Sequence, residues 1–162
     1  MNKQKPLLVF TIIFLAFSSC VNVFHHDQDL AAAKTVEFAK AAFVERNFEK
    51  ASKALPIRRQ NPNSVKQVED IVTKMHPSSY PEFVTATEYE PVPGQKVIRI
   101  FLIGENDQNE KFYYAVILEG TVDEGYSVVE CYRSPEPLPS SGTRKPLPTQ
   151  RSTDGYYPTD AA

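Results

Sequence analysis

The 162-residue chain has no tryptophan, two methionines, three histidines and two cysteines, Cys20 and Cys131. So few cysteines exclude a disulfide-dense scaffold. There is no Cys-x-x-Cys, zincin helix, phosphate loop or Gly-x-Ser-x-Gly in the sequence, so the familiar metal, nucleotide and nucleophile motifs are absent and no cofactor is implied. No block of like charge occurs, and 18 basic residues face 20 acidic ones. Without a basic stripe, nucleic acid is not an expected partner. There is no internal repeat. The apolar run of residues 6–17 is 12 residues long, short of the roughly 20 needed to span a bilayer.

That short run is nevertheless the most informative segment. Lys3 and Lys5 precede it, and Ser18-Ser19 lead from it into Cys20. A positive start, a short apolar stretch and small residues describe a cleaved leader. Phe17-Ser18-Ser19-Cys20 is similar to the lipobox of bacterial lipoproteins, whose usual form is Leu, a small residue, Gly or Ala, then Cys. Phe for Leu and Ser for Gly/Ala are departures from that form. The resemblance implies removal of residues 1–19 and acylation of Cys20, palmitate included. It implies a membrane protein held by lipid, facing the periplasm or the cell exterior. Val21 in place of Asp after the cysteine favours the outer membrane where there are two. Ordinary secretory cleavage after Ala16-Phe17-Ser18 and an uncleaved anchor are the alternatives.

Loss of residues 1–19 removes two lysines and no acids, leaving 16 basic and 20 acidic residues and a formal charge of −4. Residues 20–28 are expected to be a tether whose last eight residues reach about 26 Å when extended. Residues 29–133 read as one α+β domain. An Ala-rich helix over residues 29–46 carries Val36, Ala39 and Phe43 on one stripe, with Asp29 as its N-cap. A short helix follows over residues 48–55. A third opens on the capping box Ser64-Val65-Lys66-Gln67 and places Val68, Ile71, Val72 and Met75 on one face. From Pro81 the period becomes 2, and residues 82–90, 96–103, 111–119 and 125–132 read as strands joined by short turns. Consecutive strands with short links predict an antiparallel meander with the helices on one face. Residues 134–162 hold six of the chain's 13 prolines and few large aliphatics, which predicts a disordered or polyproline-like tail. Pro135 to Pro139 suit an aromatic groove or a passive spacer.

Phe43-Val44-Glu45-Arg46-Asn47-Phe48-Glu49-Lys50-Ala51 resembles the end of the first helix and the start of the second in nuclear transport factor 2-like proteins. These are cone-shaped α+β domains that include ketosteroid isomerases and many small bacterial lipoproteins. The resemblance covers residues 29–133 and implies a curved four-stranded sheet with a pocket between sheet and helices. The acid and tyrosine set of the isomerases has no counterpart that can be placed here.

In such a cone, Arg99 and Glu130 alternate with apolar neighbours on their strands and, with Tyr114 and Tyr126, are the candidate pocket residues. An exposed cross-strand ion pair is the plainer reading. Six strand-region tyrosines, Tyr80, Tyr89, Tyr113, Tyr114, Tyr126 and Tyr132, suit either a partner surface or a half-buried sheet. His76 sits where it would cap the third helix. His25, His26, Asp27 and Asp29 are metal-capable side chains on an expected solvated linker. Cys131 alternates with Ser127 and Val129 and reads as a packing position. The expected role is a non-catalytic, membrane-anchored binding or assembly module of the cell envelope with an envelope protein as partner. The alternative is a small-ligand carrier or isomerase-like enzyme using the cone pocket.

Overall fold

The computed structural model describes residues 24–151. The leader and Cys20 lie outside the described residues. Helix α1 spans Gln28–Ala39 and runs on through a π-helical turn, Lys40–Val44; α2 is Phe48–Ser52 and α3 is Ser64–Met75. Five strands follow: β1 Phe83–Pro91, β2 Val97–Glu105, β3 Lys111–Thr121, β4 Gly125–Ser134 and β5 Lys145–Arg151. All neighbours in the sheet are antiparallel, in the order β4-β3-β2-β1-β5. The α+β class and the meander are as the sequence predicts.

The N-cap of the first helix lies two residues before the expected one. Asp27, not Asp29, accepts from the backbone N–H groups of Asp29 and Leu30 at 2.9 Å. The capping box expected at Ser64 does not form; the Ser64 hydroxyl donates instead to the Asn61 carbonyl at 2.7 Å. Ala31, Ala32, Ala39 and Ala42 are fully buried, and their small side chains let α1 lie close to the sheet. The π turn shifts the helix phase by a residue, and the Glu45 N–H bonds the Lys40 carbonyl at 2.9 Å. Phe43 is thereby turned into the core, where its ring stacks on Tyr114 at 4.7 Å between centroids. On α3, Val68 and Val72 are buried, but Ile71, expected on the same face, is 51% exposed.

The space between helices and sheet is occupied by side chains. Phe38, Phe43, Ile98, Ile100, Leu102 and Tyr114 are buried there and pack with Val116, Leu118 and Val128 in one cluster. Each large apolar side chain so buried contributes about 1.5–3 kcal/mol. The pocket implied by the family resemblance is thus filled by the core.

The segment expected to be a disordered tail departs most from expectation. Residues 135–144 carry the chain from the β4 edge to the opposite edge, and residues 145–151 pair with β1 as a fifth strand. They cross the sheet face turned away from the helices. Ser141 and Thr143 bond Glu90, and the Arg144 guanidinium sits 3.6 Å over the Phe101 ring. Leu147 then enters the main core cluster at 7% exposure. Over residues 134–151 composition misleads because it weighs the tail alone. The apolar surface that orders this stretch belongs to the sheet. The rest of the expected tail, residues 152–162, lies outside the described residues.

Both sheet edges are blunted, by different means. On β4, the Val128 N–H donates to the Ala54 carbonyl at 2.8 Å, and Arg59 donates to the Val129 carbonyl. At the other side β5 carries Pro146 and Pro148, which remove two donors and suit an edge strand.

Candidate functional site

The four residues singled out from the sequence do not share a pocket. Arg99 and Glu130 are on the outer face, where cross-strand registry aligns Glu90, Arg99, Ile117 and Glu130. Tyr114 and Tyr126 are on the inner face with the core. Arg99 pairs with Glu90 at 3.1 Å rather than with Glu130, which is exposed. Ile117 stands between the two in the register and separates them.

Glu90 is the polar centre of the outer face. It is 7% exposed and accepts from Ser141 and Thr143 as well as from Arg99. The two hydroxyls, and then Arg99, hold its carboxyl down to about 2 from an ordinary 4.5. One strand along, the Arg144 side chain is 8% exposed and pairs with Glu88 at 3.3 Å. Its guanidinium donates to the carbonyls of Leu138 and Pro139 at 3.0 and 2.7 Å, and its Nε has no hydrogen-bond partner. A cation buried on an aromatic ring with charge-assisted bonds is a clasp for the crossing segment. Sequence reading missed Glu90 and Arg144. The signal available for Arg144 was its place between two leucines, Leu138 and Leu147, in an otherwise Pro- and Ser-rich stretch.

On the inner face, His76 is 2% exposed and surrounded by Phe43, Tyr80, Phe112 and Tyr114. Its Nδ1 lies 3.0 Å from the Ser79 carbonyl, which can only accept, so Nδ1 carries the proton. Nε2 then accepts from the Tyr114 hydroxyl at 3.3 Å. Burial is the main reason that the imidazole falls to about 4 from 6.5. Burial also pushes the Tyr114 hydroxyl well above its ordinary range. Both groups are therefore held neutral and sealed from solvent. The capping role expected of His76 is taken by Arg133, which donates to the Met75 carbonyl at 2.6 Å. Positive charge at a helix C-terminus is favourable there.

The expected solvated linker is docked from Phe24 onward. The Asp27 N–H donates to the Tyr126 hydroxyl at 2.8 Å. That hydroxyl faces His26 Nδ1 at 3.4 Å, and His26 Nε2 faces the Gln95 carbonyl at 3.3 Å. The Gln95 carbonyl needs a donor, so Nε2 carries the proton and Nδ1 accepts. The Val122 N–H donates to the His25 carbonyl, and Lys96 lies over the Phe24 ring. Gly120 permits the tight β3–β4 turn beneath this contact. It has φ +141°, and a Cβ there would meet the Gly125 carbonyl oxygen at 1.8 Å. Two open clefts flank the docked segment. One, of about 510 Å³, lies between Phe24, the Pro93-Gly94 turn and Lys145; the other, of about 300 Å³, is lined by His25, Asp27 and Val122. Among the described residues no group of three or more His, Cys, Asp or Glu is arranged to hold a metal.

Cys131 packs against the core, and burial, reinforced by the neighbouring Glu130, pushes its thiol up to about 12. The folded protein is expected to leave Cys131 largely unmodified by a maleimide or a disulfide reagent at pH 8, and to react only on denaturation. Stoichiometric labelling of the Cys20→Ser chain in the folded state would contradict this.

No family model, no curated protein and no solved structure matches the chain.

Proposed function

We propose that the chain is a lipid-anchored, non-catalytic binding or assembly module of the bacterial cell envelope. The observation that carries this reading is the leader ending in Phe17-Ser18-Ser19-Cys20. The docked Phe24 to Asp27 segment supports it, because a module tethered by its N-terminus gains a defined attitude when the tether is fixed to the fold. Among the described residues no helix is long and apolar enough to cross a membrane, so membrane attachment in this reading comes from acyl chains on Cys20. Within the α+β class the domain is read as nuclear transport factor 2-like. Three helices ahead of an antiparallel meander support that reading, with the crossing segment and β5 added to it. A ligand carrier or isomerase-like enzyme would need space between sheet and helices, which Phe38, Phe43, Ile98 and Ile100 occupy.

Cells expressing the full chain and fed labelled palmitate are expected to yield a labelled membrane protein, with the label absent from Cys20→Ser. An unlabelled wild-type chain, or label retained by the variant, would remove the anchor. Cross-linking from the outer sheet face that returns no envelope protein above background would count against the assembly role.

A further inference from the structure

We infer that the end of the domain bearing the β1–β2 and β3–β4 turns lies against the bilayer, with Ile57, Val122 and Leu30 entering its headgroup layer. The inference rests on acylation of Cys20. Phe24 to Asp27 is fixed to this end through Gln95, Lys96, Val122 and Tyr126. Only residues 21–23 separate Phe24 from Cys20, a reach of about 13 Å when fully extended. That is too short for the domain to turn over and present its other end.

The apolar surface at this end agrees. Five large hydrophobic residues are exposed among the described residues: Leu30 45%, Ile57 88%, Ile71 51%, Val122 43% and Tyr132 39%. Three of them sit here. Val122 is in the β3–β4 turn, and Leu30 is in the first turn of α1, directly after the docked segment. Ile57 opens a one-turn 3₁₀ helix, Ile57–Arg59. It is placed at this end by Arg58, which pairs with Glu119, the residue opposite Val97 at the start of β2. An isoleucine that the fold leaves almost wholly in water is explained by a second apolar phase.

Charge at this end is close to balanced. Arg58 pairs with Glu119 and Lys96 with Glu124, and the charges of Arg59 and Lys145 are offset in number by Asp27, Asp29 and Asp123. The contact is therefore apolar in origin and does not depend on anionic lipid. The other end carries the β2–β3 turn with Asn106 and Glu110 and the pair of Arg133 with Glu110, and it faces away from the membrane.

The test uses the mature chain, residues 20–162, coupled through Cys20 to a maleimide lipid in phosphatidylcholine vesicles with brominated acyl chains. Cys131 is half-buried with its thiol pushed up to about 12, which leaves Cys20 as the more reactive cysteine. The chain has no tryptophan, so Ile57→Trp and, separately, Gln108→Trp each install a single fluorophore, at the near end and on the far β2–β3 turn. Emission from position 57 is expected to be strongly quenched and that from position 108 unchanged. A third chain, Gln95→Trp, is expected to be quenched, and to lose that quenching when Ile57→Ser and Val122→Ser are added. This guards against tryptophan itself drawing position 57 into lipid. Equal quenching at 57 and 108, none at either, or no effect of the serine pair overturns the orientation. Because the lipid is attached chemically, these outcomes hold whether or not cells acylate Cys20, whereas missing palmitate overturns the anchor alone.

Discussion

Ending the chain after Ser134 is expected to abolish cooperative folding or to drive the protein into aggregates. The cut removes Leu147 from the core cluster and the Arg144 guanidinium from the Phe101 ring. It also uncovers the β1 edge and leaves Glu90 without Ser141 and Thr143. Leu147→Ala alone should cost about 2–5 kcal/mol, the usual range for truncating a buried leucine. A domain of this size typically has only about 5–15 kcal/mol to lose. Urea denaturation followed by circular dichroism checks both variants, and an unchanged midpoint for either would mean that the strand is ornamental. An open β1 edge is also a template for pairing with other chains, so light scattering of the truncated chain should rise with concentration.

This is where sequence reading was weakest, for a physical reason. Helices and meander strands announce themselves by local period: Val68 and Val72 on α3, or Ile98, Ile100 and Leu102 alternating on β2. The strand at Lys145–Arg151 has no such period, and its prolines argue against a ladder when read locally. It forms because β1 offers an unpaired edge and the core a place for Leu147, both remote in sequence. The four candidate pocket residues show the same boundary. Alternation placed Arg99 and Glu130 on a common face, but it cannot say which face meets the helices. Nor could it show that Glu90, the strand neighbour of Arg99, is the nearer acid. Docking of the tether was hidden likewise, because Asp27 and His26 find their partners Tyr126 and Gln95 far along the chain.

Acid should destabilise the fold well before carboxylates in general are protonated. His76 titrates at its ordinary 6.5 in the unfolded chain and at about 4 in the folded one, so the unfolded state takes up the proton first. The folded state keeps its full advantage above pH 6.5, loses it progressively below that, and has lost it all once pH is under 4. The shift corresponds to about 3–4 kcal/mol at about 1.4 kcal/mol per unit. Glu90 acts in the same direction at lower pH. Its stabilisation is complete above 4.5 and disappears as pH falls toward 2. Unfolding free energies measured in urea at pH 7.5, 6.0 and 4.5 should therefore decline steadily. His76→Phe keeps a ring in the aromatic cluster but leaves the Tyr114 hydroxyl without its acceptor. It should cost about 1–3 kcal/mol at pH 7.5 and flatten the decline between pH 6.5 and 4.5. A wild-type protein equally stable at pH 7.5 and 4.5, or a variant with the same slope, would show that His76 is not the titrating group.

The direction of β5 has a mechanical consequence. Its start, Lys145, lies beside Tyr89, near the end where Phe24 is docked, and its last residue, Arg151, lies beside Thr85 toward the opposite end. A pull applied between Phe24 and Arg151 therefore runs along the strand axis. It loads the β1–β5 ladder in shear, so that the bonds of the ladder and the Leu147 contact resist together rather than opening one after another.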